Sequence, residues 1–162
     1  MVCFDKYEGG VIFIRLWHQL LIPYLDRQRL LSQHREVCAL RGKGWGKKHA
    51  TVDYAFTHDP ALLVAYHYCV MEEMENRGYH PDRTWDFPEW RGTTLGRQDD
   101  FADKALVEQC WMNVNQMGSI IYPEHNDEYL RECIALLKEK NAPIDWEKVV
   151  KDGLDQVQPS TN

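Results

Sequence analysis

Apolar residues recur at helical spacing in three stretches of the chain, and no stretch alternates as a half-buried strand would. From Arg27 to about Leu40, the positions Leu30, Leu31, His34, Val37 and Cys38 fall on one side of a helical wheel. Glu36 falls almost opposite them, beside Arg29, Ser32 and Gln33, on a face that predicts solvated side chains. The glycines Gly42, Gly44 and Gly46 then stop the helix. A second helix opens at Asp59-Pro60, a capping residue followed by proline at the first helical position. Its inward face reads Leu62, Leu63, Tyr66, Val70 and Met74, and Gly78 ends it. A third runs from about Asn126 to Lys140, with Leu130, Cys133, Ile134 and Leu137 inward and lysines in its last turn, where the helix dipole favours cations. Residues 99–117 predict a fourth helix, and the aromatic, proline-bearing stretch 80–97 predicts a loop. The expected architecture is all-α: one compact domain over residues 15–153, three main helices plus the fourth, joined by irregular loops. Residues 154–162 read as a polar tail.

Composition narrows the classes. The 162 residues suffice for a core without disulfides or metals. The five cysteines are odd in number, widely spaced and form no C-x-x-C pair, a usage that predicts reduced thiols in a cytoplasmic protein. No apolar run reaches the roughly 20 residues of a membrane span. No cofactor motif, no His-x-x-x-His metal pair and no recognisable cysteine or serine nucleophile motif occurs, so neither cofactor nor metal is expected. The histidine on the apolar face, His34, reads as a hydrogen-bonded core residue.

Charge changes the picture. The block Arg27 to Lys48 holds Arg27, Arg29, Arg35, Arg41, Lys43, Lys47 and Lys48 against one acid, Glu36, a net of +6 in a chain of net −6. The remainder therefore carries −12. Such segregation directs a polyanion to one face and repels it from the rest. Within the loop Arg41 to His49, alternate glycines would let backbone approach a phosphate, although the spacing of a nucleotide P-loop is absent. Trp45 would either stack on a base or cover the helix ends. A carboxylate surrounded by cations at a polyanion site has a weakened hold on protons and is repelled by phosphate. Glu36 is therefore a candidate for chemistry, against the plain alternative of a solvated helix face.

These pieces, in this order, resemble the pyrimidine-dimer DNA glycosylase family, the phage endonuclease V type. The resemblance runs through Arg15-Leu16-Trp17-His18, Leu21-Ile22-Pro23-Tyr24-Leu25, Gln33-His34-Arg35-Glu36, Gly42 to His49, Glu75-Asn76-Arg77-Gly78-Tyr79 and Pro123-Glu124-His125. It implies a monomeric enzyme that acts on double-stranded DNA bearing UV-type pyrimidine dimers or abasic sites. In that family an N-terminal α-amine attacks C1′ of the sugar and displaces the base as an imine forms. β-Elimination then breaks the strand, and the essential glutamate lies in an Arg-Glu pair matched by Arg35-Glu36. By the same resemblance Arg29, Arg35, Arg41, Lys43, Lys47 and Lys48 would bind phosphates, with Trp45 and His49 near the lesion. This chain lacks the aromatic, basic tail of the phage enzyme and ends in Trp146, Lys148, Lys151 and a polar segment. The rival expectations are a non-catalytic DNA-binding protein that retains the fold and, more weakly, an RNA-binding module.

The resemblance also raises the matter of the amine. Ile14 stands where the family's initiator methionine would stand, directly before Arg15. Glu8-Gly9-Gly10 can be encoded by a purine-rich ribosome-binding sequence, and some isoleucine codons serve as rare starts. Residues 1–14 are accordingly expected to be a misread leader or a genuine extension. The nucleophilic amine is assigned to position 14, or by one-residue register to Arg15. Lys47 and Lys48 offer the alternative amines.

Overall fold

Helix ends follow the local capping signals. In the computed structural model, which describes residues 14–47 and 51–156, α1 spans Arg27–Arg41, α2 Pro60–Asn76, α3 Lys104–Met117, α4 Asp127–Glu139 and α5 Trp146–Lys151. The Asp59 carboxylate accepts from Ala61 N at 2.9 Å ahead of Pro60, and the Asn126 side chain accepts from Tyr129 N at 2.9 Å ahead of α4. Asp103 caps α3, so that helix begins later than the expected residue 99. The six-residue α5, capped by Asp145, was not foreseen, because so short a helix shows no readable period. Among the described residues there is no strand, only an isolated bridge between Trp90 and Arg97, so the chain is all-α. No helix of the described residues is long and apolar enough to cross a membrane.

The axis of the molecule is α2. Ala61, Leu63, Val64, Ala65, Tyr66, His67, Val70, Met71 and Met74 are all buried. That arc is too wide for one face, so neighbours cover α2 on most sides. Leu62, expected inward, is only half-buried. Both α1 and α3 pack on α2. The main core joins Leu30, Val37 and Leu40 of α1, Leu63, Tyr66 and Val70 of α2, and Leu130, Cys133 and Leu137 of α4 to Leu16, Leu21, Ile22 and Leu25. Each such leucine contributes about 1.5–3 kcal/mol by leaving water. A smaller cluster of Ala61, Val64, Ala102 and Val107 seats α3.

The main departure from expectation is α1. Ser32, Gln33 and Glu36, assigned to a solvated face, are buried with Leu30, Val37 and Leu40, and Glu36 is only 5% exposed. The reason is tertiary: the irregular segment 14–17 lies over that face and is bonded to Gln33. A wheel drawn for one helix cannot see a second layer.

Two arginines fasten the 80–97 stretch to the end of α1. Arg41 is fully buried; its guanidinium donates to the carbonyls of Trp85 (2.8 Å), Phe87 (2.8 Å) and Trp90 (3.3 Å) and lies over the Trp85 ring. Arg91 answers from the loop, donating to the carbonyls of Arg41 (2.8 Å) and Gly42 (2.9 Å) at the C-terminal end of the helix, where carbonyls lack intrahelical donors. Close packing also explains a glycine: a Cβ on Gly44 would meet the Ala39 carbonyl oxygen at 2.8 Å, so the loop needs glycine there to fold back on α1.

Candidate active site

Residues 14–17 are largely buried and form no regular secondary structure, so their carbonyls need other donors. Side chains from four places supply them. The Thr51 hydroxyl donates to Ile14 O, Gln33 Nε2 to Arg15 O (2.9 Å), the Tyr129 hydroxyl to Leu16 O (2.6 Å) and the Tyr66 hydroxyl to Trp17 O (2.6 Å). Trp17 N in turn donates to Gln33 Oε1 at 2.7 Å. This cradle holds the backbone of residues 14 and 15 in a fixed place, and Ile14 is itself buried.

Glu36 meets the same cradle. Gln33 and Glu36 are three apart on α1 and share a face, and Gln33 Nε2 donates to Glu36 Oε2 at 3.1 Å. One carboxamide thus touches both the backbone at Arg15 and the carboxylate that the charge pattern singled out. The Arg15 guanidinium turns the other way, toward Glu132 (3.4 Å) and the Tyr129 ring.

The cations separate into two groups. Lys43 and Lys47 are exposed and face solvent. Arg35 is half-buried, and its Nε has no hydrogen-bond partner. Arg29 is tied to Asp26 at 3.2 Å with both side chains largely covered, so that charge is locally neutralised. Arg41 is withdrawn entirely: a guanidinium with no exposure, committed to loop carbonyls, cannot reach a phosphate. Trp45 packs edge-on against Phe56 and Phe101, with ring centres at 4.9 and 5.5 Å, which is the covering role. Lys48 and His49 lie outside the described residues.

A second polar cluster sits between α1 and α2. His34 Nδ1 lies 2.8 Å from His67 Nε2, and Cys38 Sγ lies 3.8 Å from both His67 Nε2 and His34 Nε2. These three are the one group among the described residues whose ligand atoms are close enough to share a metal ion. Arg41 decides against that use. Its Nη1 lies 2.9 Å from His67 Nδ1, and a guanidinium only donates, so the His67 proton must sit on Nε2. A metal would need a free lone pair on that same Nε2, and a ligating histidine requires an acceptor, not a cation, behind it. The trio is a hydrogen-bonded chain from Arg41 through His67 to His34, as a core histidine would have it. Burial, with Arg35 and Arg41 adding to it, pushes His34 down to about 4, so its ring is neutral near pH 7. Burial pushes the Cys38 thiol up to about 12, which removes it as a nucleophile.

Residues 14–87 match the model of the family described as pyrimidine dimer DNA glycosylase. That segment, a little under half of the chain, is similar to the family. The match opens at Ile14, where the cradle begins, and takes in all of α1 and α2, hence Gln33, Glu36 and Tyr66. Tyr129, which completes the cradle, lies beyond the glycosylase match. No curated protein and no solved structure matches the chain. Sequence reasoning missed Gln33, Thr51, Tyr66 and Tyr129. For Gln33 a signal existed in its spacing of three from Glu36; for the other three, which act on backbone atoms distant in sequence, there was none.

Proposed function

We propose that the protein is a DNA glycosylase with abasic-site lyase activity that acts on pyrimidine dimers in double-stranded DNA. One observation carries the reading: within a segment of glycosylase family sequence, a buried carboxylate and the backbone of residue 15 are bonded to the same carboxamide. An α-amine at position 14 or 15 would stand at the head of that held segment. It is the nucleophile that attacks C1′; the base leaves and an imine forms. Such an amine has an ordinary pKa of about 7.7–8.0, so a fraction is free base near neutrality. Glu36 stabilises the cationic character that develops at the sugar and moves protons during imine formation and β-elimination. Lys43, Lys47 and Arg35 bind phosphates flanking the lesion, and the base is reached by extrusion from the duplex.

Borohydride reduction is the test. An imine between protein and abasic or dimer-bearing DNA becomes a stable covalent adduct, and peptide mapping of that adduct identifies the nitrogen. An adduct at position 14 or 15 supports the reading, and one at Lys47 or Lys48 moves the nucleophile to the glycine loop. Binding without any adduct would leave a non-catalytic DNA-binding protein. Intact-mass measurement of the protein from its own host shows whether residues ahead of position 14 are retained.

A further inference from the structure

Gln33 is fully buried, and every polar atom of its side chain has a partner inside the protein. Its orientation is determined by those partners. Oε1 faces Trp17 N and Nε2 faces Arg15 O, so a flipped amide would set oxygen against oxygen and nitrogen against nitrogen. The second hydrogen on Nε2 is directed at Glu36 Oε2. The Tyr66 hydroxyl, 2.9 Å from Oε1, packs the amide from the side of α2.

We propose that Gln33 is a positioning residue, a splint that fixes the N-terminal backbone and the Glu36 carboxylate on one rigid mount. The inference rests on the reading above, in which an amine at position 14 or 15 and Glu36 work together. For either position the amine's own residue leads directly into a carbonyl that is held: Ile14 O by Thr51, or Arg15 O by Gln33. Two groups that exchange protons with one sugar must keep a set separation, and an error of about 1 Å can lower the rate by about 100-fold. A carboxamide meets the need where other side chains do not. Glutamate would keep the acceptor for Trp17 N but would lose both donations and set a second carboxylate beside Glu36. Methionine keeps the length and makes none of the bonds.

The experiment compares Gln33→Glu and Gln33→Met with the wild type, each as the full protein made in its own host. Affinity for a duplex with one abasic site is read by fluorescence anisotropy, and the rate of borohydride-trapped adduct is read in single turnover at saturating protein. The splint predicts affinity within about threefold of wild type and a trapping rate at least tenfold lower in both variants. A merely structural role would instead lower melting temperature and affinity together, without this separation of rate from binding. If Gln33→Met does not fold, Gln33→Glu, which keeps the shape and the bond from Trp17 N, decides alone. Equal trapping rates in wild type and variants would overturn the splint. An absence of adduct from the wild type itself would overturn the reaction, which is a different result and readily told apart.

Discussion

A carboxylate that is 5% exposed has to be matched by its surroundings in both protonation states, and this makes Glu36 a sharp probe. Glu36→Gln keeps the volume and leaves an oxygen for Gln33 Nε2, so the fold and DNA affinity should survive. Strand cleavage should fall by about 100-fold or more, since the charge at the reacting centre is gone. Single-turnover cleavage of dimer-bearing DNA measures this, and near wild-type cleavage would remove Glu36 from the mechanism. The candidacy of Glu36 was legible in the sequence because charge environment is a local property: one acid among seven cations. Its burial was not, since the segment that covers it lies about twenty residues earlier in the chain.

At the scale of elements, α1, α2 and α4 were readable because capping residues and period-3.6 patterns are written within each helix. The 80–97 stretch was readable only as a loop, since its order comes from arginines rather than from its own pattern. Arg41 is the same residue that the basic block suggested as a phosphate ligand, and nothing in composition distinguishes an inward guanidinium from an outward one. Arg41→Lys tests the structural assignment. A lysine is a point donor and cannot fork between three carbonyls and His67, so the variant should lose about 2–4 kcal/mol in urea unfolding. Limited proteolysis should then cut within 83–97 first. An unchanged midpoint would mean that the clasp is ornamental.

For the whole molecule, the field and the buried histidines make separate predictions. With Arg41 internal, the exposed positive charge of the described loop rests on Lys43 and Lys47. Replacing both by alanine should flatten the log–log dependence of DNA affinity on salt by about two units. An unchanged slope would mean that the loop only turns the chain. Burial holds His34 down to about 4 and His125, beside His18, down to about 3. Both lie below the ordinary value of about 6.5, so under acid the unfolded chain takes up protons that the folded one refuses. Stability is therefore complete above about pH 6.5 and declines as pH falls toward 4, by about 2 kcal/mol for each ring at pH 5. Urea titrations at pH 7 and 5 measure the decline, and His34→Gln with His125→Gln should flatten it. The cradle around residues 14–17 has a further consequence, for biosynthesis. Its strands of support come from Gln33, Thr51, Tyr66 and Tyr129, so the stretch made early waits for a hydroxyl made late. While the ribosome is still translating α3, Leu16 O has no Tyr129 to bond, and the nascent chain carries the matched segment without a finished cradle. The complete cradle would form in one step, after α4 has cleared the exit tunnel.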